Sequence, residues 1–255
     1  MKEILYKVLD ILTVGKGLTK VFSGVKVRIP TRYINYFWSD YEQFNFKFTK
    51  EKLRPNDVVL DVGAHIGLFS CIAAKSVGTN GLVYAFEPTP ATYALLTKTI
   101  EINKLENNIK PFDLAMGLKE GTTTFYISDL TGDNSNSLVN YVDSRGPLRG
   151  IDIKVMSIDA FVNKYKLSKV NFIKIDVEGA EYDTLKGAEI TLKSLRPYCI
   201  LAIHPAGIKS KGDSMEIIYD FLVQCNYSIL FNDTAISRLT FCNTSDLIDL
   251  HLLPL

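Results

Sequence analysis

Residues 57–67 read DVVLDVGAHIG, an apolar run that ends in a carboxylate and turns through two glycines into a helical pattern. A strand closing on Asp61 and reversing through Gly63 and Gly67 into a helix builds a nucleoside pocket at the carboxyl edge of a parallel sheet. Glycines there let the chain turn sharply and approach a ligand where a Cβ would clash. The spacing also discriminates among ligands. A dinucleotide fingerprint needs G-x-G-x-x-G, with the pyrophosphate on the helix N-terminus. Here the pattern is D-x-G-x-x-x-G, with His65 in place of the middle glycine. NAD and FAD are thereby disfavoured, and a nucleoside cofactor without phosphate is expected.

The remaining pattern alternates strand-like and helix-like segments, which predicts an α/β fold with a mostly parallel sheet. Strands are expected at 57–61, 82–87, 109–116 and 171–176. Further strands are expected at YCILAIH, YSILF and DLIDLHLL, with helices between them and one over 213–226. Pro111 places its strand at an edge or a start. TTTFYIS and IDIKVMS read as two more strands flanking a polar loop at 129–150, taken as a substrate lid in which Asn134, Ser135, Asn136 and Ser137 offer hydrogen bonds to hydroxyls. Two regions result: an N-terminal helix and aromatic segment over 1–50, and an α/β domain over 51–255. Tyr33, Tyr36, Phe37, Trp38 and Tyr41 cluster in the first and read as core or as a sugar platform.

Charge is nearly balanced at +1, so nucleic acid is not an expected partner. Four cysteines without C-x-x-C spacing read as free thiols in a reducing, cytoplasmic compartment. Residues 1–22 combine an apolar helical face with Lys2, Lys7, Lys16 and Lys20. Packing on the domain is the plain expectation, and peripheral docking on a membrane the alternative.

Glu87 ends the second strand, where a carboxylate can accept bidentate hydrogen bonds from ribose hydroxyls. Asp61 is expected to meet a cationic part of the cofactor directly or through water. In the segment IKIDVEGAE, alternation puts Lys174 and Asp176 on one face, with Glu178 at the following turn, and His204 ends the next strand. Asp176 with His204 is the expected acid/base pair or metal-ligand pair for Mg²⁺ or Mn²⁺, with Glu178 contributing and Lys174 orienting. The plainer alternatives are a structural ion pair and carboxylates favouring a helix N-terminus.

DVGAHIGLFS, AFEPTPATYALLTKTIEIN and NFIKIDVEGAEYDTLKGA together resemble the FkbM family of S-adenosylmethionine-dependent methyltransferases, over about 57–205. The resemblance implies a class I methyltransferase fold, with a seven-stranded sheet whose last strand is antiparallel. It also implies O-methylation of a sugar hydroxyl in a glycan or glycoconjugate, or of a natural product. By the same resemblance, Asp61, Gly63, Ala64 and Gly67 line the methionine part of the cofactor, Glu87 the ribose, and Asp113 with Ala115 the adenine. His65 stands where asparagine is more usual, and its imidazole can supply a hydrogen bond there. Ala202 replaces a glutamate that often precedes this histidine by two residues, which removes one candidate metal ligand. Methylation of RNA or protein, and a non-catalytic binding module, are the alternative functions.

Overall fold

The computed structural model describes residues 2–38, 40–127 and 149–255. Helix α1 (Lys2–Leu12) leads into the hairpin β1 (Leu18–Phe22) and β2 (Val25–Ile29), followed by α2 (Gln43–Lys52) and β3 (Val58–Val62). Next come α3 (Leu68–Val77), β4 (Leu82–Phe86), α4 (Pro90–Asn103), β5 (Ile109–Phe112), β6 (Ala115–Met116), β7 (Gly121–Ile127) and β8 (Arg149–Met156). Then follow α5 (Ile158–Lys164), β9 (Phe172–Ile175), α6 (Glu181–Lys186), α7 (Glu189–Ser194), β10 (Tyr198–Ile203) and α8 (Pro205–Lys211). The chain closes with α9 (Met215–Gln224), β11 (Tyr227–Phe231), β12 (Thr234–Ala235), α10 (Arg238–Cys242) and β13 (Ile248–Pro254).

The main sheet runs in the order β12-β11-β13-β10-β9-β3-β4-β5. Strands β5, β4, β3, β9 and β10 pair in parallel, whereas β13 lies antiparallel between β10 and β11. Apart from the two-residue β12, this is the expected seven-stranded sheet with its last strand reversed. The chain builds outward from β3 to β5, then returns to β9 on the other side of β3. The boundary between β3 and β9 is thus the switch point at which such sheets bind ligands.

Side-chain alternation divides the core. Val58, Leu60 and Val62 of β3 pack on one face with Ile173, Ile175, Leu201 and Ile203. Val59, Val83, Phe172 and Ile200 pack on the other, together with Phe22, Val27, Phe37 and Phe46 from the N-terminal region. The same alternation sends Asp61, Lys174, Asp176 and His204 toward the N-terminal segment.

Three expectations are corrected. The strand over 109–116 divides after Phe112: β5 with Pro111 is the sheet edge, while Ala115 and Met116 pair instead with Val155 and Met156 in a three-stranded sheet. The segment after β9, which reads in the sequence as one helix through Leu185, Ala188, Leu192 and Leu195, breaks at Gly187, where a Cβ would lie 2.1 Å from the Gly117 carbonyl oxygen. The next turn restarts because Asp159 accepts hydrogen bonds from the Ile190 and Thr191 amides at 2.9 and 2.8 Å. Finally, the C-terminal end of α1 is not packed on the domain as expected: Ile11 and Leu12 are 76% and 73% exposed. The polar loop with Asn134, Ser135, Asn136 and Ser137 lies outside the described residues. None of the described helices is long and apolar enough to cross a membrane.

Candidate active site

Backbone hydrogen bonds draw the carboxyl ends of β3, β4 and β9 into one edge. The Gly63 and Ala64 amides both donate to the Phe86 carbonyl, at 3.0 and 2.9 Å, and the Asp176 amide donates to the Val62 carbonyl at 3.0 Å. Gly63 adopts φ +80°, and a Cβ there would fall 1.8 Å from the Asp176 carbonyl oxygen. Only glycine allows these two strand ends to meet. A cavity opens at this edge, floored by Gly63, Ala64, His65 and Glu87.

Glu87 is buried and ties the edge together. Its Oε2 accepts the His65 amide at 3.0 Å and its Oε1 the Thr89 amide at 2.9 Å. Burial pushes its carboxyl up to about 7, against the lowering effect of those hydrogen bonds. Helix capping and ligand binding are therefore not exclusive roles: the same carboxylate serves the α4 N-terminus and faces the cavity. His65 holds the left-handed conformation at φ +50°, and Tyr33 meets its ring edge-on at 6.1 Å. Burial lowers its imidazole to about 4, so it is neutral at physiological pH.

Asp61 and Gly67 do not line the cavity. The Asp61 carboxylate is fully buried and accepts a hydrogen bond from the Ser70 hydroxyl on α3, while its second oxygen has no partner among the described residues. Gly67, at φ +87°, begins α3, and a Cβ there would press within 2.6 Å of Leu96. At the far end, Ala115 lines the cavity alongside Phe86, Leu114 and Met116, an apolar slot. Asp113 is exposed and borders a separate hollow with Phe112 and Tyr165.

The opposite wall carries Lys174, Asp176 and Glu178. Lys174 is buried and pairs with Asp176 at 2.9 Å. Burial would lower its ammonium pKa, but Asp176, Glu42 and Asp61 outweigh that and hold it above its ordinary range. Such a group is a fixed cation rather than a base. Burial likewise would raise Asp176, yet Lys174 and His204 bring its carboxyl below the usual range. Glu178 sits in the left-handed region at φ +50°, followed by Gly179 at φ +107°. A Cβ on Gly179 would approach the Gly207 carbonyl carbon to 2.8 Å, so the Glu178 turn and the start of α8 touch backbone to backbone.

His204 stands just behind these carboxylates. Its Nε2 is 3.6 Å from Asp176 and 3.5 Å from Glu178, and its Nδ1 donates to Glu181 at 2.8 Å. Burial alone would lower the imidazole, but the Glu181 hydrogen bond and the charges of Glu178 and Asp176 raise it to about 9. Asp176, Glu178 and His204 each offer an atom within 4.8 Å of the others, a spacing a divalent cation could bridge.

Two participants escaped the sequence reading. Glu181 reads as an acid favouring a helix N-terminus, yet it is fully buried against His204. Glu42, within the aromatic run, lines the cavity, and burial pushes it up to about 7; nothing in the sequence separates it from Asp40, the other acid of that run. Of the aromatic cluster, Phe37 and Tyr41 line the cavity, Tyr33 and Tyr36 pack against His65, and Trp38 is exposed.

Residues 61–229 match the family described as the methyltransferase FkbM domain. The hexuronic acid methyltransferase AglP of Haloferax volcanii is 29% identical over 193 residues, covering 74% of each chain. The 31-O-demethyl-FK506 methyltransferase FkbM of Streptomyces tacrolimicus is 26% identical over 162 residues, 54% of this chain and 62% of that one. Among solved structures, a provisionally assigned rRNA methylase from Clostridium thermocellum superposes with a TM-score of 0.50 at 14% identity, covering 82% of this chain and 93% of that one, a likeness of fold.

Proposed function

This chain belongs to the FkbM methyltransferase family, and we propose that it transfers a methyl group from S-adenosylmethionine to a hydroxyl of a sugar in a glycan or glycoconjugate. The observation that carries the reading is the composition of the cavity: an apolar slot at Ala115 and Met116, a buried carboxylate at Glu87 able to accept from ribose hydroxyls, and an acidic wall at Asp176 and Glu178. Lys174 is the one cationic side chain among lining residues that also include Glu42, so the site suits a sulfonium and an amino group and repels phosphates. The sugar as acceptor is supported by the relative that acts on a hexuronic acid.

S-adenosylmethionine supplies an electrophilic methyl group. The acceptor oxygen would take that carbon as the carbon–sulfur bond breaks, giving S-adenosylhomocysteine and a proton for the chain's own residues to receive. The protein must align the hydroxyl, which supplies much of the rate, and receive the proton. With His204 protonated at neutral pH, proton acceptance falls to the carboxylates Asp176 and Glu178. Lys174 and His204 then hold those carboxylates in place.

A second reading follows from the same cluster. Asp176, Glu178 and His204 could hold Mg²⁺ or Mn²⁺, with Glu181 orienting the imidazole as carboxylates orient metal-bound histidines. The ion would acidify the hydroxyl instead. Lys174, bonded to the second oxygen of Asp176, competes with such an ion.

The test is transfer of labelled methyl to a panel of neutral and uronic acid glycans and macrolide hydroxyls, with chelator or divalent metal. Transfer to sugar is expected, falling by about 100-fold or more in Asp176→Ala and His204→Ala. Full activity in both variants sinks the mechanism, and transfer to the macrolide alone sinks the sugar assignment.

A further inference from the structure

Near-neutral net charge conceals a sharp segregation. While the cavity is acidic, a groove on the outside of the β1–β2 hairpin is lined by Lys16, Lys26, Arg28, Lys75, Lys98 and Lys104, with Glu101 the single acid among its lining residues. All six cations are exposed. Alongside, the end of α1 and its following turn leave Ile11, Leu12 and Val14 at 76%, 73% and 78% exposure, and Val14 itself borders the groove.

The two features are held in fixed relation. The Asn103 side chain on α4 clasps the Arg28 backbone, accepting its N–H at 2.9 Å and donating to its C=O at 2.8 Å. Lys75 on α3 donates to the Lys26 carbonyl. At the turn between α1 and β1, a Cβ on Gly17 would lie 2.3 Å from the Ile29 carbonyl oxygen, so the turn is seated directly on β2. Asp10 of α1 accepts a 2.5 Å hydrogen bond from Thr31. Hairpin, helix end and groove therefore form one surface.

We propose that this surface docks on an anionic lipid bilayer. Ile11, Leu12 and Val14 enter the boundary between headgroups and acyl chains, and the six cations face lipid phosphates. Charge complementarity selects an anionic partner, and the apolar tip selects a bilayer. A nucleic acid backbone would satisfy the cations and leave three large apolar side chains in water. A membrane surface accommodates both, as amphipathic helices with adjacent basic residues do. The inference is independent of which acceptor the cavity takes.

The test is co-sedimentation of the full chain with phosphatidylglycerol-rich vesicles and with pure phosphatidylcholine vesicles, at low and high salt. Binding is expected to the first only, and to weaken with salt. The triple variant Lys26→Gln, Lys98→Gln, Lys104→Gln should lower partitioning on the order of a hundredfold, about fivefold per charge. Leu12→Asp should lower it without removing the groove. Unchanged melting temperatures and methyl transfer to a soluble acceptor exclude misfolding as the cause. The proposal is overturned by no binding to the anionic vesicles, by equal binding to both vesicle types, by undiminished binding in the triple variant or in Leu12→Asp, or by tighter binding to a single-stranded RNA probe than to vesicles.

Discussion

The buried carboxylate of Glu181 accepts a 2.8 Å hydrogen bond from Nδ1 of His204, directing the other ring nitrogen at Asp176 and Glu178. A carboxylate can only accept, so Nδ1 carries a proton in both charge states of the ring and the proton that titrates is the one on Nε2. Glu181→Gln preserves volume and removes the charge. The expected result is a fall in kcat on the order of 10- to 100-fold, with affinity for S-adenosylmethionine measured by calorimetry unchanged. An undiminished kcat would deny Glu181 its positioning role.

Glu87 predicts a pH dependence of donor binding. Its carboxyl titrates at about 7, so below that pH it is neutral and a poorer acceptor for ribose hydroxyls. Affinity for S-adenosylmethionine should rise as pH increases from 5.5 through 8, with a limiting slope of about tenfold per unit below the pKa. Glu87→Gln should bind weakly at every pH and lose the slope. Isothermal titration across this range decides it, and an identical slope in the variant would refute the assignment.

Gly63→Ala should be among the most damaging single changes. Its left-handed conformation is costly for any residue with a Cβ, and that atom would overlap the Asp176 carbonyl oxygen. A loss on the order of 3 kcal/mol or more is expected in urea unfolding, or else a displaced edge with donor binding abolished. Wild-type stability together with wild-type donor affinity would contradict the geometry.

The metal reading has its own readout. If Asp176, Glu178 and His204 hold a divalent ion, Mn²⁺ should raise the melting temperature of the wild type and leave Asp176→Asn unmoved. Chelator should then suppress methyl transfer. Full activity in chelator, with no thermal shift, leaves the two carboxylates as the proton acceptors.

Local pattern made the carboxyl edge of the sheet legible. Asp61, Gly63 and Glu87 fall at strand ends, where period and turn chemistry speak within a few residues. Lys174 and Asp176 were paired correctly by alternation along β9. Distant contacts were not legible. The burial of Glu181 depends on His204, 23 positions away in the chain. The break at Gly187 depends on the Gly117 carbonyl. The family resemblance assigns Asp113 to the adenine, whereas the chain leaves the main sheet immediately after Phe112 and Asp113 borders a separate hollow. The exposed end of α1 defied its periodicity, because an apolar stripe records that burial is favourable and not what provides it.

The backbone contact between Gly179 and Gly207 bears on how this enzyme could be re-engineered. It seats the Glu178 turn on the helix that follows His204, so the groups assigned to proton transfer share one chassis. Phe37, Tyr41 and Glu42 face that chassis from a different stretch of chain. We expect libraries at Phe37 and Tyr41 to vary acceptor preference, with Glu42 kept because its charge helps hold Lys174 protonated, and the two glycines are the positions such libraries should leave alone.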